Sequence, residues 1–138
     1  MMISTRGRYA IRFMIDLAQQ PAGLPVPLEE AAGRQGISKK YLEIVVKTLV
    51  QGQLVKGTSG KGGGYRLTRS PEAYTVGEIL ELTEGTLATV ACLDHHAEPC
   101  PRRDFCPTLP MWKRFDAMVH DYFFGITLAD LVEGNLPA

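Results

Sequence analysis

The sequence predicts a mainly α-helical fold with one small β-hairpin, and three observations carry that reading. Apolar residues recur at helical spacing in six stretches. One segment, Leu54–Thr68, instead holds two short strand-like runs around a glycine-rich turn. Helix-starting residues precede several of the helical stretches, among them Ser38, Thr75 and Thr127.

Taken in order, residues 5–19 form the first expected helix. Tyr9, Phe13, Leu17 and Ala10, Met14, Ala18 make two adjacent i, i+4 rows, while Arg6, Arg8, Arg12 and Asp16 fall on other faces. Ile11 and Ile15 widen the apolar surface, so the helix is expected to pack on two sides, one of them open to a second subunit. Pro21, Gly23, Pro25 and Pro27 break the chain, with Pro27 suited to a first helical position. A short helix over 28–35 then buries Leu28, Ala31 and Ala32. Gly36 turns the chain, and Ser38 starts a helix over about 39–51 that buries Leu42, Val45, Val46 and Leu49.

Two strands follow, Leu54–Lys56 and Tyr65–Thr68, joined by residues 57–64 with five glycines in eight positions. Such a tip can approach another surface closely. Thr75 with Glu78 makes a capping box for a helix over 76–84, whose inward residues are Val76, Ile79, Leu80 and Leu82 or Thr83. Residues 85–109 read as an irregular loop. A long helix over 110–124 carries Met111, Phe115, Met118 and Tyr122 on one stripe, broadened by Trp112, Val119 and Phe123. This is more aromatic surface than a protomer of this size readily buries, so the helix is expected to form a dimer; the competing reading buries it in its own core. Thr127 caps a last helix, Leu128–Glu133.

Helix, glycine turn, helix and glycine-rich hairpin together are the pattern of a winged helix-turn-helix, whose second helix enters the DNA major groove. The chain therefore divides as a DNA-binding part (1–75), a linker helix with a cysteine loop (76–109), and a dimerisation and C-terminal part (110–138). Its 138 residues suit one domain, and 45% apolar with 22% charged residues excludes a disordered or collagen-like chain. No apolar run is long enough for a membrane span and the first residues show no cleavable leader, so a cytoplasmic protein without a membrane partner is expected.

The formal net charge of zero conceals an asymmetry. Residues 1–75 carry 11 Lys/Arg against 5 Asp/Glu, whereas residues 76–138 carry 4 against 10. A basic half beside an acidic half points to a polyanionic partner at one end. On the exposed side of the second helix of the motif, Ser38, Lys39, Lys40, Tyr41, Glu43 and Lys47 are the candidate DNA-contacting residues. Lysines suit phosphates or guanine edges, and Glu43 suits cytosine N4 as a specificity element. Lys61 and Ser59 at the hairpin tip, with Arg6 and Arg8, complete the set. The glycine-rich tip is not a nucleotide loop: a P-loop needs Gly at 55 and Ser or Thr at 62, which are Val55 and Gly62. A dinucleotide loop needs Gly at 65, which is Tyr65. No catalytic constellation lies outside the cysteine loop, so an enzyme is not expected.

Cys92, Cys100 and Cys106 are the only cysteines; Pro99 and Pro101 flank Cys100, and Pro107 follows Cys106. Their spacing fits neither paired zinc knuckles nor ferredoxin runs. Three thiolates on a stiffened loop can nevertheless converge on one centre. An iron–sulfur cluster needs a fourth ligand, for which His95, His96, Glu98, Asp104 or a partner chain's N-terminal segment are available. A zinc site that adds His95 or His96, a bare thiol switch, and a cluster-assembly scaffold are the alternatives.

Thr5-Arg6-Gly7-Arg8-Tyr9-Ala10, Pro25-Val26-Pro27-Leu28, Gln35-Gly36-Ile37-Ser38, Tyr41-Leu42-Glu43, Gly62-Gly63-Gly64-Tyr65, Val76-Gly77-Glu78-Ile79 and the three-cysteine loop resemble the IscR/NsrR/RirA-type winged-helix regulators of the Rrf2 family. The resemblance runs along essentially the whole chain. It implies a homodimer on palindromic double-stranded DNA that senses iron–sulfur status, redox stress or nitric oxide. The cluster, [2Fe–2S] or [4Fe–4S], would be held by Cys92, Cys100 and Cys106. Two positions depart from the family: Leu109 stands where IscR-type proteins place a ligating His, and Arg8 where the NsrR type uses Asp. Ser59 replaces an Arg of IscR-like wings.

Overall fold

Ser38, Thr75 and Thr127 each close the start of the helix they precede. Ser38 Oγ accepts from Tyr41 N–H, and the two threonines form full capping boxes with Glu78 and Asp130. The structure, a computed structural model, describes residues 2–137. Its elements are α1 (Thr5–Ala18), α2 (Leu28–Gln35), α3 (Lys39–Gln51), β1 (Val55–Thr58), β2 (Gly64–Leu67), α4 (Val76–Glu84), α5 (Leu109–Phe124) and α6 (Leu128–Glu133). Single 3₁₀ turns lie at Pro71–Ala73, Ala91–Leu93 and Arg103–Phe105. This is the winged helix-turn-helix with a long C-terminal helix that the sequence predicts.

One core joins α1, α2, α3 and the hairpin. Phe13, Met14, Leu42, Val45, Leu49 and Tyr74 are fully buried there. A second cluster of Val76, Leu80 and Ile126 takes in Ile11 and Phe123. The chain's own later elements, α4 and α6, fold back onto the second side of α1 and leave Ile11 and Ile15 partly buried.

Asp16 is also placed differently from its sequence reading. It is buried, at 1% exposure, and Arg34 grips it with two hydrogen bonds of 3.0 and 2.8 Å. Gln35 Nε2 adds a third at 3.2 Å. A carboxylate leaves water only when such partners replace its hydration. The pair fixes α2 against α1, and the hydrogen bond to Asp16 raises the Arg34 pKa.

The hairpin is antiparallel, with Val55 opposite Leu67 and Thr58 opposite Gly64. The strands begin and end one residue or two from the predicted bounds, and Tyr74 explains the shift. Its hydroxyl donates to Leu54 O (2.7 Å) and accepts from Thr68 N–H (2.8 Å), so both groups are bonded to the tyrosine and not to the ladder. Val26 and Tyr65 exchange backbone hydrogen bonds of 2.8 and 2.9 Å, adding a one-residue third strand. Only glycine fits at position 64, where φ is +156° and a Cβ would collide with the Val26 carbonyl.

Within residues 85–109 the chain is irregular apart from its two short turns. No residue of α5 is buried. The reading that placed this helix inside its own core is therefore corrected: the ring of Phe124 lies on Gly77 of α4 and Phe123 joins the second cluster, but the main stripe finds no cover in its own chain.

Candidate DNA interface and cysteine cavity

Residues 39–41, 43, 44, 47 and 50 of α3 are exposed, and its other face supplies Leu42, Val45, Val46 and Leu49 to the core. Packing therefore fixes which side chains α3 can offer. Ser38 is committed to the cap at 3.2 Å, so it sets the helix start rather than offering a free hydroxyl. Tyr41 meets Tyr9 of α1 edge-on, with ring centroids 5.5 Å apart. Lys39 Nζ donates to Glu29 Oε1 at 2.6 Å. That hydrogen bond lowers the Glu29 pKa and raises that of Lys39. Among the described residues Lys40, Lys47 and Lys61 form no ion pair.

A cleft of about 530 Å³ separates α3 from the hairpin. It brings together Glu43 and Lys47 of α3 with Ser59 of the tip, whereas Lys39, Lys40 and Lys61 lie outside its walls. Ile44 is a residue that sequence reasoning passed over. It is 55% exposed between Glu43 and Lys47. An apolar residue inside an otherwise charged helix face was the available signal, and it suits a thymine methyl.

The three cysteines are free thiols, and all three line one cavity of about 260 Å³. Arg103 and Lys113 stand in the same wall, so the cavity pairs thiols with cations. A hydrogen bond with the Thr108 hydroxyl at 3.4 Å and the backbone N–H of Thr108 lower the Cys106 pKa, favouring the thiolate. Among the described residues no three His, Cys, Asp or Glu side chains stand close enough to hold a metal ion as they are. The donor set nonetheless fits a sulfur-ligated, anionic group: soft thiolates with nearby positive charge.

Histidines do not join these thiols. His95 and His96 line a separate cavity of about 230 Å³ with Asp116 and His120, which separates the parts of the Cys₃His zinc site allowed by the sequence. The loop is docked onto α5 at its start: Asp116 Oδ1 accepts from the Thr89 N–H (2.8 Å) and hydroxyl (3.0 Å).

An exposed helix-turn-helix face with a flanking hairpin defines a winged-helix, DNA-binding transcriptional regulator. Residues 3–134 match the family model of Rrf2, described as an iron-dependent transcriptional regulator. The chain belongs to the Rrf2 family. It is 33% identical over 135 residues to the IscR regulator of Aliivibrio salmonicida, covering 98% of this chain and 79% of that one. It is 35% identical to protein rrf2 of Nitratidesulfovibrio vulgaris, covering 96% and 87%. Among solved structures it is similar to CymR, the global cysteine regulator of B. subtilis, with TM-score 0.79, 34% identity and 98% of both chains covered. T. potens IscR gives TM-score 0.75 at 31% identity, covering 100% of this chain and 93% of that one. These relatives are regulators of transcription, not enzymes. No helix among the described residues is long and apolar enough to cross a membrane.

Proposed function

We propose that this regulator works as a homodimer on palindromic double-stranded DNA and senses cellular state through an iron–sulfur cluster held by Cys92, Cys100 and Cys106. The observation that carries the sensing half is that all three thiols line one cavity with Arg103 and Lys113. When bound, the cluster supplies a centre that oxidants, nitric oxide or iron shortage can alter. The chain's own residues do the rest. Thr89 and Asp116 tie the cysteine loop to α5, so rearrangement of the loop bears on the dimer helix. A coupling of about 1–3 kcal/mol between loop state and DNA affinity is typical of such devices.

On the DNA side, Lys40, Lys47 and Lys61 hold phosphates, and Lys39 joins them when Glu29 releases it. Tyr41 and the capped start of α3 set register, Glu43 accepts from cytosine N4, and Ser59 approaches the backbone from the wing. The basic half of the chain supports this orientation.

The test is anaerobic purification, with iron and acid-labile sulfide counted on the protein whose absorption spectrum is recorded. DNA affinity is then compared at fixed salt between that protein and a Cys92→Ala, Cys100→Ala, Cys106→Ala variant. Matched iron and sulfide with a change in affinity support the reading. A colourless protein whose affinity responds only to thiol oxidation moves the sensing role to the bare cysteines.

A further inference from the structure

We infer that Glu98 of the same chain is the fourth ligand of the cluster, an inference that rests on the iron–sulfur reading above. Besides Asp94 and a partner chain's N-terminal segment, four residues within the loop have the chemistry to complete the three-thiolate set, and the structure separates these four. His95 and His96 face the other cavity, with Asp116 and His120. Asp104 sits in the Arg103–Phe105 turn and lines neither cavity. Glu98 alone of the four stands in the wall shared by Cys92, Cys100 and Cys106.

Local backbone chemistry explains why. Glu98 precedes Pro99, and the proline ring drives the residue before it toward an extended conformation. In an extended chain, residues two apart fall on the same side. Glu98 and Cys100 have that spacing, and the 97–100 segment carries no helix or turn to rotate one away from the other. Among the described residues the Glu98 carboxylate makes no hydrogen bond or ion pair, so binding metal breaks no existing contact.

Asp94 also touches the thiol cavity, but its position is spent differently. Its Oδ1 accepts from His96 N–H at 3.0 Å, closing the turn, and it is shared with the histidine cavity. Leu109 lines the same cavity as an apolar wall, so the start of α5 offers it no donor. Oxygen is a harder donor than thiolate. One iron would therefore be chemically distinct from those held by sulfur alone, and the first to exchange.

The experiment uses the full chain, reconstituted anaerobically with ferrous iron and sulfide, as wild type, Glu98→Ala, Glu98→Cys and Asp94→Ala. Iron and sulfide per chain, the Mössbauer spectrum and the rate of iron loss to a chelator are measured for each. Removing even a residue that supports a ligand costs metal sites about 10–100-fold in affinity. Glu98→Ala is therefore expected to lose iron about tenfold faster or more, without the oxygen-ligated Mössbauer component. Glu98→Cys is expected to lose iron more slowly than wild type, with all iron sulfur-ligated, and Asp94→Ala to match wild type. If both Glu98 variants match wild type in spectrum and chelation rate, the inference fails while the three-cysteine cluster stands. If the wild type takes up no sulfide with its iron, the cluster reading and the inference fall together.

Discussion

Glu84 Oε1 accepts two hydrogen bonds from Ser4, one from its hydroxyl at 2.6 Å and one from its backbone N–H at 3.1 Å. The last residue of α4 thereby seats the first turn of α1, where a negative charge also suits the helix dipole. The chain leaves Glu84 directly for the cysteine loop, and α1 carries the exposed Arg6 and Arg8. The two halves of the molecule meet at this carboxylate.

Gly7 makes that meeting possible, since a Cβ there would collide with Glu84 Oε1. Glu84→Ala is expected to cost about 1–2 kcal/mol through the two lost hydrogen bonds. Gly7→Ala should also destabilise the wild type by displacing the carboxylate. In the Glu84→Ala background the same change should cost less, because only Leu80 Cδ2, 3.2 Å from the added Cβ, then has to give way. Urea unfolding of the four proteins checks this. An identical effect of Gly7→Ala in both backgrounds would remove Glu84 from the account.

Tyr74→Phe removes one oxygen and changes nothing else in the core. That oxygen donates to Leu54 O and accepts from Thr68 and Arg69 N–H. Loss of about 2 kcal/mol is expected, since groups bonded to a buried hydroxyl lose their partner together. Hydrogen exchange should also rise selectively at Thr68 and Arg69.

On the proposed DNA interface, Glu29 is the competitor of DNA for Lys39, which it holds at 2.6 Å. Glu29→Gln is expected to raise affinity for duplex DNA and to steepen its salt dependence by about one counterion. The pair is insensitive to pH near neutrality. The lowered Glu29 pKa means its contribution is lost only as pH falls through that depressed value. The raised Lys39 pKa means it is lost only as pH rises through that higher one. The gain from Glu29→Gln should therefore be the same throughout roughly pH 6–8, and binding titrations at several salt concentrations measure both quantities. An unchanged salt slope would show that the freed lysine reaches no phosphate.

Phe115 and Met118 are 44% and 60% exposed on the α5 stripe. Phe115→Glu or Met118→Glu is expected to yield monomers by light scattering and to weaken binding to a palindrome more than to a half-site. The far-ultraviolet circular dichroism should stay unchanged, because Phe115 and Met118, unlike Phe123 and Phe124, lie outside the contacts that α5 makes with its own protomer. A dimer that persists in both variants would place the subunit contact elsewhere.

What could be read from the sequence was what local chemistry dictates. Ser38, Thr75 and Thr127 announced three helix starts because a cap needs only its next few residues. The unburied stripe of α5 was visible as an excess of aromatic and methionine side chains. Other features depend on segments far apart in the chain. Asp16 looked like a surface acid until Arg34, 18 residues on, covered it. Tyr74 gave no local sign of holding the hairpin base, 20 residues back at Leu54. Likewise His95 and Glu98 were equal as candidate ligands in the sequence, and only the path of the loop sent them to different cavities.

The pairing of Val26 with Tyr65 has a consequence for how such proteins can diverge. Two strands of four residues are marginal by themselves. This hairpin borrows its third strand from the segment leading into α2, and its anchor from Tyr74. It is therefore not a portable module. A chimera could exchange the solvent-facing residues of α3 within one continuous stretch. Exchanging the hairpin would require matched changes at three separated places: the strands themselves, Val26 and Tyr74.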